Sequence, residues 1–523
     1  MALAPVYQAG QKSRCMHAAS LSTAGAFAAL ALEFKKMSDT SPNFPQGRGL
    51  YYGGAWHEPK QSGSVEVRSP ATDELLCTIN VGSAADVRPA VEAAHKGYLE
   101  WRDVRPMERA RLMKEMGVRI RSNARELALI ESMDGGNPIS EMMGDVLGTA
   151  AMLDYFAGLV TEMKGSSVPY GPEAVSFSVR EPYGVVARIA PYNHPLGFSV
   201  AKAAAPLAAG NAVVVKPPEQ APLSALRAAE LFDGLLPAGV FNVLSGDRDL
   251  GAALVSDPGI SIVALVGSVP TGKAVMRAAA DSLKRVMFEL GGKNALIAFP
   301  DSDPEKIARA MVAGMNYTWC GQSCGSVSRA FVHEDIYDEV LARMPQYLEK
   351  HKPGLPSDPK TTMGALVDRQ ALDRVTRYIA SAHEDGARLI HGGVPPEDPA
   401  LAKGCFMPPT VFADVTMGMK IAREEIFGPV QAVIKWSDEA EMLRQVNQVE
   451  YGLTCAVWTR DVARAHRIIS RVEAGFCWIN DVARHALGSP FGGYKQSGIG
   501  REECLEELLS FTQEKNVWIN LNN

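Results

Sequence analysis

Short apolar, β-branched runs at residues 185–190, 212–215, 241–244 and 262–266 alternate with segments of helical length, and this alternation restricts the fold more than any other feature of the chain. A strand exposed on one face alternates polar and apolar residues, whereas a strand covered on both faces reads as a nearly continuous apolar run. Runs of the second kind, separated by helices, imply a parallel sheet between helical layers. Such sheets bind ligands at the carboxyl ends of their strands. The chain has 523 residues, more than one hydrophobic core accommodates, so two or three domains are expected. A second α/β run extends from near Asn294 to near Asn480, with strands expected at 329–332, 431–434 and 454–458.

Upstream, 65–67 and 75–79 have the make-up of short strands, and apolar residues recur at helical spacing over 84–101, with Ser83 placed to cap that helix. Further helices are expected at 107–123, 126–134 and 139–163. Residues 164–182 break the pattern with Gly-, Ser- and Pro-rich turns and an alternating strand at 175–179. Another alternating strand, 516–521, closes the chain with no obvious partner close in sequence. The two stretches together suggest an arm that pairs with a neighbouring subunit.

With 46% hydrophobic and 21% charged residues, the chain has the composition of a soluble α/β enzyme rather than a disordered or fibrous protein. A formal net charge of -6 and the lack of a basic stripe argue against nucleic acid as a partner. The eight cysteines are scattered, which suits a reducing compartment and an expected cytoplasmic location. No second Cys or His pair accompanies Cys320 and Cys324, so no metal site is expected. No run reaches the roughly 18 to 20 apolar residues that cross a bilayer, so no membrane span is expected. Residues 1–36, rich in Ala and Ser with Glu33 as their one acid, leave three readings open: an organellar targeting segment, a disordered tail, or a start placed early with Met37 opening the true chain.

Three stretches carry chemistry. Cys324 sits between Ser323 and Gly325, where there is room for a substrate carbonyl and for backbone N–H donors, whereas a structural cysteine is usually enclosed by Leu, Val or Ile. It is the candidate nucleophile. Glu289 lies in an apolar setting just before Gly291 and Gly292, where burial raises a carboxyl pKa toward that of a general base. Asn193 is held between Pro191 and Pro195 as a candidate amide donor. A fourth stretch, Gly267-Ser268-Val269-Pro270-Thr271-Gly272-Lys273-Ala274, nearly matches the phosphate loop of nucleoside triphosphatases, but Ala274 replaces the hydroxyl that would ligate magnesium. What survives is a strand-turn-helix whose free N–H groups suit an anion such as pyrophosphate. The dinucleotide signature G-x-G-x-x-G is absent.

In their order along the chain, PYNHP, VVVKPPEQ, GSVPTG, FELGGKN, GQSCGS, EEIFGPV and SPFGGYKQSGIGRE resemble the aldehyde dehydrogenase superfamily from about Tyr51 to the C-terminus. The resemblance implies oxidation of an aldehyde to a carboxylic acid with NAD, NADP being possible, through a thiohemiacetal and a thioester on Cys324. Asn193 would hold the oxyanion, Glu289 would activate water, and Lys202 and Glu502 would relay protons. Lys216 and Glu219 match positions that hold the adenosine ribose, Gly267 and Ser268 the pyrophosphate turn, and Glu425 and Phe427 the clamp on the nicotinamide ribose and ring. His194, Ala201, Arg484, His485 and Phe491 fall around the substrate, and their polarity suggests a carboxylated or otherwise polar aldehyde with Arg484 as the anion partner.

The implied fold class is α/β: a Rossmann-like NAD-binding domain over 46–163 and 183–291, an α/β catalytic domain over 292–495, and a small β oligomerisation arm from 164–182 and 507–523. Residues 1–45 would be an extension, expected to be disordered. A homodimer or homotetramer is expected, acting on a small-molecule aldehyde, with neither nucleic acid nor membrane as partner. A CoA-acylating enzyme and a catalytically retired binding protein are the alternatives.

Overall fold

The computed structural model describes residues 42–61 and 63–522, and the stretch 1–36 with its three open readings lies outside the described residues. The folded unit takes in Asn43 to Pro45, which the sequence assigned to the extension: the Asn43 N–H donates to Glu126 Oε1 at 3.1 Å, and Pro45 is buried.

Two sheets organise this unit. The first has eight strands in the spatial order Ala55–His57, Leu50–Tyr52, Phe241–Leu244, Ala212–Lys216, Val185–Ile189, Ile260–Val266, Arg285–Glu289 and Gly498–Ile499. Its centre is parallel: Val185–Ile189 pairs with Ala212–Lys216 on one side and with Ile260–Val266 on the other. All four expected strands are present. Arg285–Glu289 was not among them, because only three apolar residues separate its charged ends.

Helix Ala84–Trp101 covers one face of this sheet and follows the expected limits. Ser83 Oγ accepts from the Ala85 N–H, while Asp86 accepts from the Ser83 N–H, so both ends of the capping box are made. Val87, Ala90, Val91 and Ala94 lie on its buried stripe, packed on Val185, Ala187 and Val214. Helix Ile139–Gly158 stops before the expected 163. Glycine weakens its last turn, and Leu159 leaves the helical region at φ -98° and ψ 1°.

The second sheet has seven strands, in the order Arg388–His391, Thr410–Ala413, Val430–Trp436, Arg329–His333, Ala295–Ala298, Thr454–Trp458 and Phe476–Ile479. Alternate residues of one strand serve opposite cores: Ile297 and Phe331 point into one, Leu296 and Ala330 into the other.

The terminal strand Thr512–Asn520 finds its partner within the chain. It pairs antiparallel with Ala174–Pro182 over its whole length, from Thr512 opposite Pro182 to Asn520 opposite Ala174, and Ser167–Val168 adds a third strand. Among the described residues no helix is long and apolar enough to cross a membrane.

Candidate active site

Val185–Ile189 is where the first sheet reverses its order of growth, since the next strand lies on one side and Ile260–Val266 on the other. Crevices form outside the carboxyl ends of strands at such a switch point. The sequence candidates gather there. Lys216 and Glu289 are the last residues of their strands, Gly267 and Ser268 follow Val266, and Asn193 follows Ile189 by four residues.

Glu289 is 2% exposed, and its Oε1 has no hydrogen-bond partner. Burial pushes its carboxyl up to about 8, the charge of Glu502 adds to the rise, and a hydrogen bond with Cys324 works against it. The Cys324 thiol is in turn pushed well above its ordinary range by burial and by Glu289. The resting site therefore holds a neutral thiol against a carboxyl group.

The loop carrying Cys324 is fixed by Asn294, whose Nδ2 donates to the carbonyls of Cys324 at 2.6 Å and Ser326 at 2.9 Å. Its Oδ1 accepts from the Thr454 N–H at 3.0 Å, tying the loop to a central strand. Asn193 is buried, its backbone carbonyl accepting from Asn137 Nδ2 at 3.2 Å.

Behind Glu289 lies a buried charge network. Lys202 Nζ stands 3.0 Å from Glu502 and 3.3 Å from Glu503, and Arg188 reaches Glu502 at 3.4 Å. Burial opposes the charge of Lys202, but Glu502 and Glu503 outweigh it and raise its pKa. Burial likewise opposes ionisation of Glu502, which Lys202 and Arg188 hold below the usual carboxylate range. Both carboxylates are thus ionised and paired.

Asn193, Gly267, Ser268, Glu425 and Phe427 line a cavity of about 320 Å³. Burial raises the Glu425 carboxyl to about 7, and the Gly292 N–H it accepts at 3.0 Å draws it back down. Gly291 makes this approach possible, because a Cβ there would stand 1.9 Å from Glu425 Oε2. A groove of about 460 Å³ beside helix Val269–Ala280 holds Lys216 and Glu219, 3.3 Å apart. His194, Ala201, Lys202, His485, Phe491 and Glu502 line a further cavity of about 580 Å³.

Arg484 is a correction. Its side chain is 81% exposed and paired with Asp481 at 3.1 Å, outside that cavity. The Arg484 carbonyl accepts from Trp478 Nε1 at 2.8 Å, which pins the backbone and leaves the side chain turned outward. Four residues that the sequence did not single out stand in the site: Asn294, Asp145 bonded to His194, Glu503 bonded to Lys202, and Arg374, which donates to the Ile426 carbonyl at 3.1 Å. Asn294 alone carried a signal, as the last residue of FELGGKN.

The walls of the 320 and 580 Å³ cavities share only Glu289 and Cys324. Whatever occupies one meets the occupant of the other across a thiol and a carboxyl group, the arrangement of a thiol-dependent oxidoreductase. Comparison with known proteins narrows this class. Residues 56–517 match the model of the aldehyde dehydrogenase family. Aldehyde dehydrogenase tropH of Talaromyces stipitatus is 49% identical over 496 residues, covering 92% of this chain and 96% of that protein. The solved structure of PnpE from Pseudomonas sp. WBC-3 superposes with a TM-score of 0.89 at 38% identity, covering 91% of this chain and 98% of that one. The NAD+ complex of an aldehyde dehydrogenase from Bacillus cereus gives 0.88 at 36% identity, with 91% and 97% covered. The chain belongs to the aldehyde dehydrogenase family, and its fold is α/β with a Rossmann-like NAD-binding domain.

Proposed function

We propose that the protein oxidises an aldehyde to its carboxylic acid with NAD, Cys324 acting as nucleophile and Glu289 as base. The observation that carries this reading is the single junction of two cavities at those two residues.

The residues present fit a nicotinamide adenine dinucleotide. Val255, Pro270, Ala274 and Val275 give the groove apolar walls for a flat base, and Lys216 with Glu219 meets a ribose. Ser268 caps helix Val269–Ala280, whose first-turn N–H groups suit a diphosphate. Half-buried Glu425 and Phe427 face the cavity that reaches Cys324. The Glu219 carboxylate favours a free 2′-hydroxyl over a 2′-phosphate, hence NAD over NADP. When bound, the dinucleotide supplies the hydride acceptor that takes the carbon held on Cys324 to the acid level.

The chain's own residues do the rest. Glu289 takes the Cys324 thiol proton as Sγ adds to the aldehyde carbon, and the resulting oxyanion accepts hydrogen bonds from the Asn193 amide and the Cys324 N–H. In the second half, Glu289 takes a proton from water as its oxygen attacks the thioester carbonyl. The C–S bond then breaks and the acid departs. Lys202 and Glu502 give the proton on Glu289 a way out. A CoA-acylating enzyme has no need of this base, and a retired relative has no need of a reachable thiol.

We assign an NAD-binding domain to 46–163 and 183–291 and a catalytic domain to 292–495, a division that the two separate sheets support, and the three-stranded sheet is the arm through which we expect a dimer or tetramer. The seven cysteines among the described residues are all free, in keeping with the cytoplasm.

The test is formation of reduced dinucleotide over a panel of aldehydes, with NAD and NADP in parallel, for the parent and Cys324→Ala. NAD-dependent turnover that Cys324→Ala abolishes is expected. Turnover that appears only when CoA is added would move the acyl group to a different acceptor.

A further inference from the structure

The 580 Å³ cavity has an uneven lining. Phe198, Trp319, Trp478 and Phe491 give it aromatic walls, and Gly144, Gly148 and Ala151 give it an open floor along one face of helix Ile139–Gly158. A Cβ added at Gly144 or Gly148 would meet nothing within 4 Å. Aromatic walls with room between them suit a flat, conjugated molecule.

Two polar pairs interrupt these walls. His194 Nδ1 lies 2.5 Å from Asp145 Oδ2, and His485 Nδ1 lies 3.7 Å from Glu503. His194 is steadied by Trp319 and Phe198, with ring centroids 5.5 and 5.6 Å away. With Nδ1–H given to the Asp145 carboxylate, Nε2 is the atom left for a ligand, and it carries a hydrogen to donate when the ring is protonated. Every basic side chain on the cavity wall already has a carboxylate: His194 has Asp145, His485 has Glu503, and Lys202 has Glu502 and Glu503. Arg484, the one cation that would have met a substrate carboxylate, lies outside. A carboxylated substrate would bring a charge with no free partner, whereas a neutral oxygen would complete the hydrogen bonding of His194.

We propose, resting on the aldehyde dehydrogenase reading above, that the cavity selects a flat, conjugated or aromatic aldehyde bearing a neutral hydroxyl or carbonyl oxygen, and that His194, oriented by Asp145, donates Nε2–H to that oxygen. The groups facing His194 agree with a donor. Burial opposes its protonation, but Asp145 first, then Glu131 and Glu289, raise its pKa. Glu141, on the same helix as Asp145, also feels the charge of His194. Asp145 acts through His194 and is a positioning residue.

The experiment compares kcat/KM for benzaldehyde, 3-hydroxybenzaldehyde, 4-hydroxybenzaldehyde and 3-carboxybenzaldehyde with NAD, in the parent, His194→Phe, His194→Gln and Asp145→Asn. In the parent, at least one hydroxylated aldehyde is expected to exceed benzaldehyde by about 10-fold or more, and the carboxylated one to fall below it. His194→Phe should bring the hydroxyl-to-benzaldehyde ratio near one, mainly through KM. His194→Gln, which keeps an N–H donor, should restore part of the ratio. Asp145→Asn should shift the loss of the ratio with rising pH to lower pH, a change that a merely structural role would not produce.

The ratio needs no variant to be read in the parent, so a misfolded mutant does not decide the matter. Equal rates for benzaldehyde and both hydroxybenzaldehydes, a preference that survives His194→Phe, or a preference for the carboxylated aldehyde would each overturn the proposal while leaving the aldehyde dehydrogenase reading intact. Absence of NAD-dependent turnover with every aldehyde would overturn both.

Discussion

A Cβ placed on Gly292 would stand 2.5 Å from the carbonyl oxygen of Cys324, closer than two such atoms can come. The glycine is what lets the end of one strand lie against the loop that carries the thiol. A Cβ would also meet Asn294 Oδ1 at 2.6 Å, and Asn294 is the residue that fixes that loop. Gly292→Ala must therefore push the Cys324 loop away from Glu289. We expect kcat to fall by about 100-fold or more, with the dissociation constant for NAD changed far less, because a displacement of roughly 1 Å at the reacting atoms is enough for such a loss. Single-turnover kinetics and NAD titration check it. A variant with parental kcat would show that the loop position does not limit the chemistry.

Glu289 sets the pH dependence. Its carboxyl titrates at about 8, above the usual carboxylate range, because it is buried and faces Glu502. Below that pH the group carries its proton and cannot act as base; above it the base form dominates. The rate of acyl release should rise by about tenfold per pH unit up to about 8 and then level off. Glu289→Gln should lose this limb and release the acyl group about 100-fold or more slowly. A burst of reduced dinucleotide, close to one equivalent of enzyme, followed by a slow phase would record the trapped thioester. Lack of a burst, with the slow rate already present in the first turnover, would show that removal of the Cys324 proton, the other task given to Glu289, is the slower step in the variant.

Much of the site was legible because its residues lie in short local patterns. Cys324, Glu289 and Asn193 were each singled out from a short stretch, and the structure brings all three to the wall of one cavity. The paired glycines after Glu289 were visible in sequence, but their separate reasons were not: Gly291 makes way for Glu425, and Gly292 for Cys324, 134 and 32 positions further on. Asp145 lay beyond reach, since its pairing with His194 spans 49 positions and follows no local pattern. Arg484 was misplaced for a related reason. Proximity in sequence to Phe491 suggested the cavity, but side-chain direction is settled by the Trp478 bond to the Arg484 carbonyl. Strand Arg285–Glu289 escaped because its apolar run is short, although it carries Glu289 to the cavity wall.

The arm carries exposed apolar side chains that none of the described residues covers: Trp518 is 51% exposed, and Val168, Tyr170 and Ile519 are exposed with it. Tyr170 meets Trp518 edge to face at 4.4 Å. Apolar side chains grouped on a three-stranded sheet mark an interaction site. We expect Trp518→Glu to shift the protein toward smaller species in light scattering and sedimentation, because it sets a charge into an apolar contact. A parent that is monomeric at every concentration would show that the arm does not assemble subunits.

Lys293 gives a stability prediction independent of catalysis. It is 1% exposed, and its Nζ has no hydrogen-bond partner. Burial and the nearby Arg329 guanidinium lower its pKa to about 7. The unfolded chain keeps this amine protonated up to its ordinary value of 10.5. Between about 7 and 10.5 the unfolded state therefore binds more protons than the folded state, so this residue's contribution makes stability rise with pH across that window. Lys293→Met fills similar space without a polar atom to satisfy. It should stabilise the fold by about 1–3 kcal/mol at pH 7 and by progressively less toward pH 10. Denaturant unfolding of parent and variant at both pH values reads the difference directly, which cancels other titrating groups. A destabilised variant, or a gain that grows with pH, would mean that the Lys293 amine is held by a partner in its charged form.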